Sequence, residues 1–348
     1  MTGKTVPAEH LTRLIGAIFE SLGLAADDAT CTAQSLVSAD LEGIPSHGVS
    51  LVPMYVQRIK AGSINVDGQP SIVEDHGAMV IMTAANTLGQ LSSEVAVKLA
   101  IERAQQHGIS IVTVRDAFHF GTAAYWSKKF AHAGMVGFSF SNTRPLMPAP
   151  GGAQALVGNN PMAIAFPSAT GDQLVVDMAM SATAMGKIRI AQAQGKSIPE
   201  GWATDAEGRA TTSASDAING MLLPAAGPKG FGLAVAVDLL CGALSGGGVG
   251  AAVRPLYGDT SQPYNCSHAF IAIDASRIAG GSGIGLQVAQ FSQSIRDSRR
   301  ASGTETIYAP GDLERANRQR IAGNCVLHAT LIDELNALAK AANSDLRL

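Results

Sequence analysis

A helical pattern running from Leu91 to Gln106 stops at Gly108 and gives way at once to ISIVTV, residues 109–114. No other feature constrains the fold as strongly. Glycine readily takes the left-handed conformation that ends a helix. The apolar run after it is too short for a helix of its own and reads as a buried strand. The alternation continues along the chain. Thr122 to Ala133 is helical, Met135 to Ser141 strand-like, and MAIAF (162–166) and LVVDMA (174–179) are two further strands. Helices follow over Ser181 to Gln194 and Gly230 to Leu244, then a strand at HAFIAID (268–274) and a helix from Gly283 to Arg300. Strands interleaved with helices predict the α/β or α+β class around a central sheet. An extended run is also expected at AMVIMTAA (78–85), and the Gly-, Pro-, Ser- and Thr-rich segment 195–228 reads as surface loops.

The two ends read as helical. Leu11, Leu14, Ile15, Ile18 and Phe19 recur at helical spacing, a second pattern spans Asp28 to Leu41, and Ser46 is placed to cap a third helix. The C-terminus carries a helix after Pro310, a short strand at NCVLH and a final helix from Thr330 to Ala342. At 348 residues the chain exceeds the ~250–300 at which one core stops growing. The expected arrangement is an N-terminal helical part, 1–75, packing with 305–348 beside a central α/β part, 76–304, that carries cofactor and substrate.

Charge and cysteines exclude several classes. A net charge of -3 with no stripe of Lys and Arg leaves no footprint for nucleic acid. Cys31, Cys241, Cys266 and Cys325 are far apart with no C-x-x-C pair, as reduced thiols of a cytoplasmic protein would be. The most apolar stretch, Phe231 to Leu244, is shorter than the ~20 residues of a membrane span and reads as a buried helix. Only 15% of residues are charged, which points to helical faces hidden in a subunit interface.

Familiar motifs fail. Glycine pairs at 230/232, 246/248, 248/250, 281/283 and 283/285 all lack the third glycine of G-x-G-x-x-G, so no Rossmann phosphate turn is encoded. Gly195-Lys196-Ser197 lacks the leading glycine of a P-loop. There is no H-E-x-x-H, no G-x-S-x-G and no carboxylate cluster at metal spacing, so no metal is expected. What remains is a set of polar residues near strand ends and helix starts, where α/β enzymes place their sites. These are Ser46-His47-Gly48, His119-Phe120-Gly121-Thr122, Thr143-Arg144, Asn159 and Asp177, with Lys187 and Lys229 in otherwise apolar stretches.

At these residues the chain resembles the malate/L-lactate dehydrogenase family, which has its own non-Rossmann fold. The landmarks are ADLEGIPSHGVSLVPMYVQRI, GISIVTVRDAFHFGTAAYW, GGAQALVGNNPMAIAFP, VVDMAMSATAMGKI, LLPAAGPKGFGLAVAVDLLCG and IYAPGD, in the family's order, from about residue 8 to 342. The resemblance implies NAD or NADP as cofactor, a small carboxylate as substrate, and a homodimer. It implies dinucleotide contacts at His119, Phe120, Gly121, Thr122, Asp177, Met178, Ala179, Lys229, Gly230, Gly311, Asp312 and Leu313, and less securely at Gln290. By the same resemblance, His47 would carry the proton, with Ser46 and Lys187 in its relay and His119 a rival for the role. Histidine suits this work because its pKa, near ~6.5, lets it give and take a proton at neutral pH.

Substrate contacts are expected at Arg144, Thr143, Asn159 and Tyr55. Many members carry an arginine five residues after the serine of SHG; here that position is Leu51. Arg144 is expected to replace the lost carboxylate clamp. Reduction of a 2-oxo acid is the leading expectation and reduction of a cyclic imino acid the alternative. A dinucleotide-binding protein without turnover is the contrasting class.

Overall fold

The computed structural model describes residues 3–278 and 283–348. The chain opens with β1 (Gly3–Pro7), α1 (Ala8–Glu20), α2 (Ala26–Leu41) and α3 (Val52–Lys60). Leu11, Leu14, Ile15, Ile18 and Phe19 form the buried face of α1, each contributing roughly 1.5–3 kcal/mol by leaving water. Ser46 does not cap a helix. Two short 3-10 turns, Pro45–His47 and Val49–Leu51, precede α3, and the extended backbone of Gly48 between them interrupts any continuous helix.

The central part follows as β2 (Ser71–Asp75), β3 (Met79–Thr83), α4 (Gly89–His107), β4 (Ile109–Ala117), α5 (Ala123–His132) and β5 (Val136–Ser141). Next come β6 (Met147–Pro148), β7 (Ala155–Val157), β8 (Met162–Phe166), β9 (Leu174–Met178) and α6 (Met185–Ala193). Then β10 (Ala203–Thr204), β11 (Ala210–Thr211), α7 (Ala214–Asn219), β12 (Met221–Leu222) and α8 (Pro228–Asp238) lead to β13 (Cys266–Ile273). The chain ends with α9 (Ile284–Arg296), α10 (Asp312–Ile321), β14 (Asn324–His328) and α11 (Ala329–Ala341).

Seven strands make one mixed sheet in the order β2-β3-β4-β13-β5-β8-β9. Only β3 and β4 run parallel, joined by α4 as their crossover; the other neighbours are antiparallel. Gly108 takes the left-handed conformation at φ 87° and turns α4 into β4. The period of two along β13 sends Cys266, Phe270 and Ala272 to the main core and Ala269 to the opposite face, against Val237 and Cys241. The sheet therefore has helices on both faces.

Three expectations need correction. Ser71–Asp75 belongs to the sheet, pairing with β3, instead of closing the N-terminal helical part. Segment 195–228 is not merely loops: β10, β11 and β12 form a small sheet. With α7 it encloses a second core of Ile188, Ile198, Ala203, Ala217 and Leu222. Two-residue strands are too short to leave a periodic signal, which is why the sequence hides them. Finally, Phe231 to Leu244 is helical but not wholly buried, because Leu233, Leu239 and Leu244 stand about half exposed.

The chain ends meet. β1 pairs with β14 along its full length, α1 packs on α11, and α10 packs on α2. Among the described residues, no helix is long and apolar enough to cross a membrane.

Candidate active site

Three elements converge at the C-terminal end of β4. The strand runs out into Phe118-His119-Phe120-Gly121-Thr122 before α5 begins. The 3-10 turn ahead of α3 supplies Ser46 and His47, and α3 itself supplies Tyr55. The imidazole rings of His47 and His119 stack with centroids 5.6 Å apart and planes 29° from parallel. Ser46 Oγ lies 3.0 Å from His47 Nδ1, while Tyr55 Oη lies 2.8 Å from His119 Nδ1.

Hydrogen bonding assigns the tautomer of His119. The backbone N–H of Gly121 donates to its Nδ1 at 3.3 Å. Tyr55 is held from behind by the buried Gln90, whose amide donates to the phenol oxygen at 3.1 Å. That leaves the phenol proton free to point at Nδ1 or at the His119 carbonyl, 3.1 Å away. Nδ1 is therefore an acceptor, and the ring proton sits on Nε2. Burial, with His47 and His268 nearby, pushes the His119 pKa down to about 3. The His47 pKa is lowered by desolvation alone, although its ring remains only half-buried. Burial raises the Tyr55 phenol, which stays protonated.

A cavity of about 810 Å³ opens alongside, between α2, α5, β9 and the turn before α10. Ala124, Asp177, Gly311 and Leu313 line it, whereas neither histidine does. Asp177, at the end of β9, faces the N–H of Ala124 in the first turn of α5; its side chain is exposed to this cavity, and desolvation within the cleft raises its pKa to about 6. Thr122, the residue before α5, makes no side-chain cap, so the first-turn N–H groups have no hydroxyl partner from it. Gly311 adopts φ 91° where the chain enters α10.

The remaining expected residues divide. Thr143 Oγ1 donates to Asn159 Oδ1 at 2.9 Å. Arg144 is half-buried and near Tyr264, whose phenol pKa is pushed up by desolvation and only partly drawn back by the Arg144 charge. The Phe120 ring is core, stacked 4.4 Å from His268 and 6.3 Å from Trp126, so only its backbone is left to meet a ligand. The Asp312 carboxylate is consumed by Arg296, at 2.8 Å to each oxygen, by Arg315 and by the N–H of Ala309. It therefore pins the turn and has little left to offer a ribose. Met178 is about half exposed and Ala179 partly so. Gly230 is buried where a Cβ would meet the Ala225 carbonyl at 2.1 Å. Lys187, Lys229 and Gln290 are exposed and lie outside the lining of this cavity.

Three residues of the site escaped the sequence reading: Gln90, Tyr264 and His268. Gln90 sits inside a helix and His268 inside a strand, at positions where nothing local separates a supporting polar group from an ordinary one. His268 is fully buried with its Nε2 3.5 Å from Cys266 Sγ, and desolvation lowers its pKa to about 3.

Comparison with known proteins places the chain in one family. The profile of the malate/L-lactate dehydrogenase family matches residues 6–336. The chain is 33% identical to a malate dehydrogenase of Pyrococcus abyssi over 344 residues, covering 96% of this chain and 94% of that protein. It is 32% identical to a (2R)-3-sulfolactate dehydrogenase (NADP(+)) of Chromohalobacter salexigens, covering 93% and 94%. It is also 32% identical to a ureidoglycolate dehydrogenase (NAD(+)) of Escherichia coli, covering 91% and 90%. Among solved structures, the sulfolactate dehydrogenase of Methanocaldococcus jannaschii superposes with a TM-score of 0.93 at 32% identity over 99% of this chain and 98% of that one. A delta1-piperideine-2-carboxylate reductase of Pseudomonas syringae gives 0.86 at 28% identity over 96% and 99%. With the family profile spanning most of the chain and the fold shared end to end, this protein belongs to the malate/L-lactate dehydrogenase family of oxidoreductases.

Proposed function

We propose that this protein uses NAD(H) or NADP(H) to interconvert a small 2-oxo carboxylate and its 2-hydroxy acid, with His47 moving the proton. The observation that carries this reading is the stacked pair of imidazoles, one of which is held neutral. Two positive charges cannot share so small a space at low cost. His119, with its pKa near 3 and its proton on Nε2, acts as a neutral hydrogen-bond donor to the substrate oxygen. His47 has the Ser46 hydroxyl at its Nδ1 and open surface on its ring, and takes the part of acid and base.

The dinucleotide, when bound, supplies or accepts the hydride. The cavity fits it: about 810 Å³ lies in the range of cofactor pockets. The N-terminus of α5 brings its positive end to the cavity wall, where a phosphate is favoured, although the Ala124 N–H there is held by Asp177. Asp177 can accept a ribose hydroxyl, and the Gly311 turn forms one wall. Leu51 is buried and cannot serve as a carboxylate clamp. Arg144, for which no carboxylate partner is found among the described residues, takes that role beside Thr143 and Asn159. The exposed leucines at 233, 239 and 244 support a homodimer, since apolar patches of this kind mark interfaces.

A second reading is favoured by one observation, the close superposition on a structure named as a piperideine-2-carboxylate reductase. A cyclic imine needs a proton on nitrogen, and the same histidine could give it. The deciding assay follows NADH and NADPH oxidation with oxaloacetate, pyruvate and Δ1-piperideine-2-carboxylate. Turnover should fall ~100-fold or more in His47→Asn, the usual scale of a lost acid–base group. Dinucleotide binding with no turnover on any of the three would leave a binding protein in place of an enzyme.

A further inference from the structure

Asp40 is a carboxylate with no cation paired to it among the described residues. It lies near the end of α2, beneath the Pro45–Leu51 turns, and its Oδ2 accepts the backbone N–H of Val49 at 2.7 Å. The fit leaves no room. A Cβ on Gly48 would stand 2.0 Å from Oδ2 and 2.5 Å from the carboxyl carbon, so any side chain at 48 would displace the aspartate from this seat. Residues 47 and 49 flank that glycine, and Tyr55 stands one turn into the helix that follows. Asp40 touches neither histidine by any hydrogen bond found among the described residues, yet it grips the backbone between the two side chains that build the site.

We propose that Asp40 is a positioning residue for this site: its carboxylate, seated where only glycine leaves space, fixes the turn that aims the Ser46-His47 pair at His119. The proposal rests on the reading of His47 as the proton-transferring group. A carboxylate is a costly choice for this half-buried contact, since an asparagine oxygen could accept the same N–H without the desolvation penalty; what the charge adds is a dependence on pH.

The surroundings make this contact sensitive to protons. Desolvation raises the Asp40 pKa to about 7, opposed only by the Val49 N–H. From β14 it faces Cys325, whose thiol is itself pushed up to about 12 and stays neutral. Arg318 of α10 is held at Ser38 and Glu42. Among the described residues, no charged group on α1, α4, α5 or α10 offsets the partial burial of Asp40. The negative oxygen is the stronger acceptor, so the turn is held most firmly above pH 7 and loosens as pH falls through it.

The test uses the full-length protein, with the histidines labelled at Cε1 and observed by NMR, alongside kcat for oxaloacetate. Asp40→Asn should leave the His47 resonance in place, keep kcat at pH 8 within about threefold of the parent, and remove the ionisation near pH 7 from the kcat profile. Asp40→Ala and Gly48→Ala should each move the His47 resonance and lower kcat at least tenfold, with the Kd for NADH unchanged. An unmoved His47 resonance in folded Asp40→Ala overturns the proposal, as does an unaltered ionisation near pH 7 in Asp40→Asn. Should Asp40→Ala fail to fold, Asp40→Asn and Gly48→Ala still decide the matter. The resonance reports the turn without any substrate, so a failure of the dehydrogenase reading is distinguishable from a failure of this one.

Discussion

Tyr55 and His119, 64 residues apart in sequence, share a hydrogen bond of 2.8 Å between phenol oxygen and Nδ1. Its consequence is directional. By holding Nδ1 as an acceptor, Tyr55 and the Gly121 N–H leave the Nε2 proton as the only one the ring can offer.

Tyr55→Phe should therefore loosen the ring of His119 and orphan the Gln90 amide that now meets the phenol. Leaving a buried donor unpaired costs about 1–3 kcal/mol, and kcat should fall roughly tenfold for each ~1.4 kcal/mol of lost transition-state stabilisation. Steady-state kinetics with urea unfolding separates the two effects. Unchanged kcat would mean that the ring is aimed by other contacts.

Acid should destabilise the protein through its buried histidines. His119 and His268 have folded-state pKa values near 3, below the ~6.5 of an unfolded histidine. Between these values the unfolded chain binds the extra protons, so the stability present above about pH 6.5 is lost as pH falls toward 3. His268→Phe keeps an aromatic ring against Phe120 and should flatten the decline between pH 6 and pH 4 by about one proton. Urea midpoints across that range provide the measurement; an identical slope in the variant would assign the acid sensitivity elsewhere.

Arg144→Ala should raise KM for oxaloacetate and pyruvate while leaving kcat nearly intact. A hydrogen bond to a charged group is worth about 1.5–3 kcal/mol, which corresponds to a ~10- to 150-fold rise. Leu51→Arg tests the same point from the other side. Leu51 is 3% exposed, so the new cation lacks water and, without substrate, lacks a partner. The melting temperature should drop, and saturating oxaloacetate should recover part of the loss. Equal KM values for parent and Arg144→Ala would place the carboxylate clamp at another residue.

Gly311→Ala should weaken dinucleotide binding. The position needs φ 91°, which costs an L-residue about 1–2 kcal/mol, and a Cβ would press on Val175 at 3.3 Å. Titration of NADH fluorescence should give a Kd raised severalfold, with kcat at saturation close to the parent. If Kd is unaltered, the Gly311 turn does not border the bound cofactor.

The sequence alone determined the class of fold, and it did so through local physics. The helix that ends at Gly108 and the buried strand after it needed no tertiary partner to be read. The five apolar residues of α1 likewise showed their face by spacing alone. His47 and His119 stood out because each lies within two residues of a glycine at the edge of a regular element. What the tertiary structure decided was which groups meet. The stacking of His47 on His119 depends on how a 3-10 turn packs against the exit of β4. The neutrality of His119 comes from burial and from charges that are distant in sequence. The resemblance put Asp312 at the dinucleotide, whereas its carboxylate is engaged by Arg296, which lies 16 residues before it and meets it only through folding. Hydrophobic period is a property of neighbours along the chain, whereas desolvation and pairing belong to neighbours in space, and the chemistry of this site rests on the second.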